Sequence, residues 1–599
     1  MRRVLLVLSF LVSLQGLALE LPRANEKWIT LRVDEFEIVS NASPSATTDI
    51  AENLLRMRAA VGQVTQLNVR STLPTKVFIF GSERSFAPYR DLAFQRKAED
   101  ITGVFLGGET GNFILLQSGS QRGVDAVVYH ELTHYFVKNT VAGLPVWVGE
   151  GLAEYYSTFQ ISGDDVQIGL PVTEHVRWLR GEKLIPLNEL FAVDHDSPIY
   201  NETSRRGVFY AESWALMHYL MVDDERRAQF GKFLGLVGAH KPMQEAFETA
   251  FATTYAKMEQ DLRAYVRRYA FNYSRYSLSQ LTVPDVPKPE PLTYASYVYQ
   301  LGDLVAHSDP SSGPLAEQFL GEALKADPAN AGAHADLGWL HDLAGRSQDA
   351  EAAYQRAVQL GSSDPQIYLL YGSSIIRRLA KTGARPTNEE LVKTRKLFER
   401  SAQLDPLSAR AWAGIGASYV GSTDASAPGI AALEKSLALT PGDEEAAFYL
   451  VQLYSREGRR ADAVKLIDRV IAPAGDRDLL TRARETLVMA DLHDMESLAN
   501  EGKVKEALAI ARAALDRTTN EAVLSHLRAT IASMETWDAA DSAANALNDA
   551  VAKANGGKYA EALAIVDGLL PSITDPDILE KAKQFRDQVA ERANRGKRK

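Results

Sequence analysis

Val127-Val128-Tyr129-His130-Glu131-Leu132-Thr133-His134-Tyr135-Phe136 reads H-E-x-x-H inside an apolar run. On an α-helix, residues four apart lie on one face. His130 and His134 can therefore present two imidazoles to one metal ion. Glu131, one step round the helix, is placed to reach a water in the metal's open position. Two ligands are not enough, because catalytic zinc is held by three protein groups with a fourth position left open. The third ligand must come from elsewhere in the chain.

The 599-residue chain contains no cysteine, which excludes disulfides and thiolate ligands and leaves His and carboxylate to hold a metal. Downstream stands Leu144-Pro145-Val146-Trp147-Val148-Gly149-Glu150-Gly151-Leu152-Ala153-Glu154-Tyr155-Tyr156. Glu150 lies sixteen residues after His134, across a loop with Gly143 and Pro145 that lets the chain turn back. It begins a second predicted helix, and Glu154, four residues on, projects from the same face. Spacing alone leaves Glu150 and Glu154 both open as the third ligand.

The pair of motifs resembles the gluzincin metallopeptidases, the clan of thermolysin and aminopeptidase N. Trp147-x-x-Glu150-Gly151-Leu152-Ala153 is similar to the aminopeptidase form W-x-N-E-G-F-A. The resemblance implies a zincin-like α+β domain in which Glu150 is the third zinc ligand and Glu154 orients a ligand histidine. Phe209-Tyr210-Ala211-Glu212-Ser213-Trp214-Ala215-Leu216 resembles the Y-E-K-G-x-A-L segment of the same relatives. By that match Tyr210 is the donor to the oxyanion of a tetrahedral intermediate, a task suited to a neutral phenol. Glu245-Ala246-Phe247, Phe251, Met258, Leu262 and Tyr265 resemble the closing helices of such domains, so the likeness spans roughly residues 25–275. The implied activity is zinc-dependent hydrolysis of peptide bonds with Glu131 as general base. The chain departs from aminopeptidase N in two ways. Its gap between His134 and Glu150 is shorter, and Gly103-Val104-Phe105-Leu106-Gly107-Gly108 stands where G-x-M-E-N would grip a free amine. The departure leans towards an endopeptidase.

Outward from this centre, the chain is too long for one core, so several domains are expected. Met1-Arg2-Arg3, the apolar run Val4 to Leu14, then Gly16 and Ala18 have the three parts of a secretory signal peptide, residues 1–18. An exported protein, periplasmic or secreted, with no membrane span after cleavage is the expectation. Residues 25–123 read as a small α/β part: strands at Trp28 to Val33, Phe36 to Val39 and Lys76 to Phe80, and a helix over Asp49 to Val64. A hairpin is expected from Gly103–Leu106 to Asn112–Leu116 across Gly107, Gly108 and Gly111. Residues 124–275 read as helical, carrying the metal site. Pro284, Pro287, Pro289 and Pro291 mark 276–292 as an extended spacer and the strongest domain boundary.

Residues 293–472 carry an internal repetition. Asp-Pro or Thr-Pro pairs recur at Pro328, Pro365, Pro406 and Pro441, at intervals of 37, 41 and 35. Gly345-x4-Ala350, Gly458-x4-Ala463, Gly502-x4-Ala507 and Gly557-x4-Ala562 each precede an apolar helix. These features resemble tetratricopeptide repeats, and the resemblance implies an all-α solenoid of stacked helix pairs with a protein partner. Residues 473–599 read as degenerate, repeat-like helices ending in a basic tail.

A net charge of −11 with no basic run before the tail argues against nucleic acid. The remaining histidines have no ligand spacing: His175, His195 and His240 stand alone, His218 reads as a packed residue, and His334 and His341 lie inside the repeats. Asp327, Asp364 and Asp405, each before proline, read as helix-end residues. The reading is an exported zinc peptidase whose repeats recruit a protein substrate or partner. The competing reading is an inactive repeat adaptor with a peptidase-like scaffold. The presence of His130, Glu131, His134 and Glu150 together favours the first.

Overall fold

The computed structural model describes residues 19–596 apart from 66–72, 96, 99–100, 109–110, 120–125, 139–143, 195–196, 202, 239–240, 383–385, 519 and 574. The expected signal segment 1–18, His195, His240, Gly143 and the last three residues of the basic tail lie outside the described residues. Among those described, no helix is long and apolar enough to cross a membrane.

The first strands follow the alternation of the sequence. β1 (Ile29–Val33) and β2 (Phe36–Ser40) form an antiparallel pair. α1 (Pro44–Thr65) then leads to β3 (Thr75–Phe80), parallel to β2, as a helical crossover between parallel strands should. α2 (Glu83–Phe94), capped by Ser82, precedes β4 (Gly103–Gly107) and β5 (Asn112–Gln117). These last two form the expected hairpin, closed by Gly108 N donating to Gly111 O at 3.0 Å. β5 runs parallel to β3, so the sheet is mixed.

Side chains on the two faces of these strands differ in what covers them. Leu31, Phe36, Ile38, Val77, Ile79, Ile114 and Leu116 point into a core shared with α1, α3 (Ala126–Lys138) and α4 (Val146–Tyr156). The region after α4 departs from the all-helical expectation. β6 (Gln160–Ser162) and β7 (Asp165–Ile168) form a small antiparallel ribbon before α5 (Thr173–Gly181). Short turns α6 (Leu187–Leu190) and α7 (Pro198–Asn201) lead to α8 (Thr203–Met221), the central helix of this core. α9 (Asp224–Gly238), α10 (Met243–Phe251) and α11 (Tyr255–Val266) complete it, and β8 (Ser274–Ser277) returns to pair with β7.

The proline-rich stretch also differs from the expected spacer. It is extended, but its end forms β9 (Glu290–Pro291), which adds to the sheet beside β1. Directly after it, α12 (Tyr294–Ser308) packs on the other sheet face. Val39, Phe78, Phe80, Phe113 and Leu115 share a core there with Val298, Leu301 and Leu304. Trp28 stacks on Tyr297 at 6.0 Å between centroids, and Lys76 Nζ reaches Asp303 Oδ2 at 2.5 Å. The first helix after the proline-rich stretch is therefore the cover of the sheet, and no compact unit ends between residues 276 and 292.

α13 (Gly313–Ala326), α14 (Ala331–Leu343), α15 (Ser347–Gln359), α16 (Pro365–Thr382), α17 (Asn388–Leu404), α18 (Ala409–Val420) and α19 (Ala427–Leu439) follow as stacked helix pairs. The compact unit runs to Leu453 and includes Asp468–Gly475. A second unit, Tyr454–Ile467 with Asp476–Lys599, consists of helices including Arg477–Asn500, Val504–Leu515 and the 35-residue Glu521–Asn555. The recurrent glycines do one job throughout. Gly345, Gly458, Gly502 and Gly557 all have φ between +71° and +81°, a conformation that favours glycine, and end the first helix of a pair. The alanines five residues later, Ala350, Ala463, Ala507 and Ala562, are fully buried where the second helix lies against the first.

Candidate metal centre

α3 buries Val128, Tyr129, Leu132 and Phe136, and this fixes its rotation. His130, Glu131 and His134 are left half-buried, and the two histidine rings face α4. α4 starts after Pro145 and buries almost its whole length, Glu150 included. Close packing of α4 on α8 requires Gly151. A Cβ there would stand 2.6 Å from Ser213 O and 2.9 Å from Met217 Cβ.

Two helices thus bring together the three residues singled out as ligands. His130 Nε2 and His134 Nε2 are 3.1 Å apart, and Glu150 Oε2 lies 3.4 Å from the first and 3.2 Å from the second. Among the described residues, His130, His134 and Glu150 are the group of His and carboxylate whose atoms lie close enough to share one ion. The distances discriminate. Four donors at 2.0–2.1 Å from zinc occupy a tetrahedron with edges of roughly 3.3 Å. The three separations found here match that edge, so the residues present fit the metal.

The electrostatics point the same way. Burial disfavours the protonated His130, but its hydrogen bond to Glu150 and the charges of Glu154, Glu150 and Glu131 outweigh burial and raise its pKa. Burial likewise opposes an ionised Glu150, yet the two histidines hold its carboxyl far below the usual carboxylate range. The carboxylates stabilise positive charge at the histidine pair, which is where a divalent cation would sit.

Glu154 lies outside this triangle. Its Oε1 is 3.5 Å from Nδ1 of His130, the ring nitrogen turned away from Glu150, and its Oε2 is 3.0 Å from His175 Nε2. Of the two carboxylates that spacing left open, Glu150 sits among the imidazole Nε2 atoms and Glu154 behind one of them. His175, read from the sequence as a histidine without partners, is a correction: it belongs to this chain of contacts. It comes from α5, 21 residues beyond Glu154, and its ring lies tilted against Trp214 with centroids 5.8 Å apart. No fixed spacing ties α5 to α4, so no sequence pattern marks it. Tyr210 comes from α8, with its ring centroid 6.3 Å from that of His130. His218, on the same helix, is fully buried, bonded to Tyr265 Oη and Gly169 O at 2.7 Å each. Burial lowers its pKa to about 4, in keeping with a packed residue.

Residues 125–244 match a family model described as a protein of unknown function, DUF1570. Residues 314–373 match a tetratricopeptide repeat model, which identifies the repeats and suggests protein partners. No curated protein matches. Similar solved structures include Pseudomonas aeruginosa pilF, 18% identical, covering 39% of this chain and 97% of that one with a TM-score of 0.29. PilW, described as a type IV pilus biogenesis factor, is 16% identical over 39% of this chain and 99% of its own, with a TM-score of 0.28. MamA is 23% identical over 27% and 89%, with a TM-score of 0.23.

Proposed function

We propose that this chain is an exported zinc-dependent metallopeptidase of the gluzincin type, acting as an endopeptidase, with its repeats recruiting a protein substrate or partner. The observation that carries the reading is the triangle of His130 Nε2, His134 Nε2 and Glu150 Oε2, with edges of 3.1, 3.4 and 3.2 Å. These three residues would hold the zinc. When bound, zinc supplies Lewis acidity towards a carbonyl oxygen and acidifies water.

The remaining work falls to the chain's own side chains. Glu131, next to His130 on α3, is assigned as the base whose carboxylate takes a proton from the attacking water and returns it to the leaving amine. Tyr210, across the site on α8, is assigned the hydrogen bond to the oxygen on which negative charge develops. Glu154 orients His130 through Nδ1 and is itself held by His175, so the ligand imidazole keeps one tautomer and one direction. The likeness of Trp147-x-x-Glu150-Gly151-Leu152-Ala153 to the aminopeptidase segment supports the same assignment. The basic start Arg2-Arg3 and the apolar run Val4 to Leu14 support export, with cleavage near Ala18.

The test is digestion of a peptide library by the purified protein, read by mass spectrometry, with and without added zinc and with a chelator. Cleavage inside peptides that the chelator abolishes and zinc restores is expected. Cleavage that ignores the chelator would reject the metal mechanism, and no cleavage in any arm would leave the repeat adaptor as the better reading.

A further inference from the structure

A cavity lies on the opposite face of the sheet from the candidate metal centre. It has a volume of about 940 Å³ and is walled on one side by Thr30, Glu37, Lys76 and Phe113 of the strands. The other wall is made by the inner faces of α12, α14 and α16. Its size is that of a ligand cleft, and its charge is one-sided, with eight acidic side chains against three basic ones in the lining.

Some of these charges are already satisfied. Asp303 is held by Lys76 at 2.5 Å and by His307 Nδ1 at 3.1 Å. Asp336 is different. It is 4% exposed and its Oδ2 is buried with no hydrogen-bond partner. His307, its ring between Phe113 at 5.0 Å and Trp339 at 4.3 Å, lines the same cavity and likewise has a buried, unpartnered Nε2. Among the described residues, neither Asp336 nor Asp364 has an ion-pair partner, and Asp364 accepts only from Gln366 N, at 2.9 Å. A buried acceptor without a donor costs free energy that a ligand can recover. Ile367, Leu370 and Leu404 line the same space and would cover an aliphatic stem.

We propose that this cleft binds an extended protein segment through a lysine or arginine side chain that enters between the sheet and the repeats to meet Asp336 and Asp364. Burial and the charge of Asp303 hold the Asp336 carboxyl well above the ordinary carboxylate range, and burial pushes that of Asp364 up from its usual value. An incoming cation relieves that cost. The binding is independent of zinc and of hydrolysis, because the strands separate the two sites.

The experiment uses the full chain and four pools of fluorescein-labelled dodecapeptides. They are randomised except for a central lysine, arginine, norleucine or glutamate, and binding is read by fluorescence anisotropy at low and moderate salt. The lysine or arginine pool should bind at least tenfold more tightly than the norleucine pool, and the glutamate pool most weakly. D336N and D364N should each weaken the basic pool at least fivefold, while D349N, on an exposed acid outside the cleft, should leave it unchanged. Circular dichroism checks folding, and if D336N does not fold, D364N decides alone. Equal binding of the four pools, or folded D336N and D364N binding like the parent, would overturn the proposal.

Discussion

Replacing Glu212 by glutamine removes a carboxyl that the fold keeps protonated, and the size of the effect follows from its surroundings. Glu212 lies on α8, two residues from Tyr210, with no solvent exposure. Its Oε2 accepts from Ile185 N at 2.7 Å, and its Oε1 is buried without a partner. Burial, aided by the charge of Glu259, pushes its pKa up to about 8 from the ordinary 4.5. The native state therefore binds a proton that the unfolded chain has lost across that window. The favourable contribution is complete below about pH 4.5 and disappears as pH rises through about 8. At 1.36 kcal/mol per unit the ceiling is about 5 kcal/mol, and local relaxation brings the expectation to about 2–4 kcal/mol. Glutamine accepts the same Ile185 hydrogen bond and does not titrate. The assay is urea unfolding of parent and E212Q at pH 5, 6.5 and 8, followed by near-ultraviolet circular dichroism, with a chelator present so that metal linkage does not contribute. His218, depressed to about 4, loses stability in the opposite direction as pH falls from 6.5. That term is common to both proteins and cancels in the difference. The two should be similar at pH 5, and the glutamine protein should be the more stable at pH 8. Parallel pH profiles would refute the reasoning.

Five further substitutions test the candidate metal centre. Glu150→Gln removes the buried anion from the triangle and should lower zinc affinity by about 100-fold or more, measured by competition with a chelating dye. Glu154→Gln should weaken zinc by a smaller factor, about 10–100-fold, and His175→Ala by less again, because both act through the orientation of His130. Tyr210→Phe should retain zinc while turnover on a cleaved library peptide falls about 100-fold or more. Gly151→Ala places a methyl 2.6 Å from Ser213 O, so α4 must move off α8. It should cost about 1–3 kcal/mol of stability by denaturant titration and loosen metal binding together with it.

Much of the fold was legible because its periodicities are strong. The strands at Trp28–Val33 and Lys76–Phe80 alternate or are continuously apolar, and the β4–β5 hairpin has three glycines at its turn. The repeats announced themselves through glycines that the structure shows at positive φ and alanines it shows buried. What was not legible is non-local or short. β6 and β8 are three and four residues of largely polar sequence, stabilised by pairing with β7 rather than by a pattern of their own. β9 is two residues in a proline-rich run and exists because β1 offers an open edge. That α12 would cover the sheet depends on Val298, Leu301 and Leu304 meeting Phe78 and Leu115, more than 180 residues away in the chain. In the metal centre, His130, His134 and Glu150 had fixed helical or motif spacing, whereas His175 reaches Glu154 only through the packing of α5 against α8.

The proposed mechanism turns on Glu131 moving a proton at a metal held by His130, His134 and Glu150. The direct measurement is zinc content and peptide cleavage on the same samples of parent and Glu131→Gln, prepared side by side. Equal zinc, near one per chain, with cleavage by the parent and loss of it in the variant is the predicted result. Equal cleavage by the two proteins, or a parent that holds no zinc and still cleaves, would contradict it.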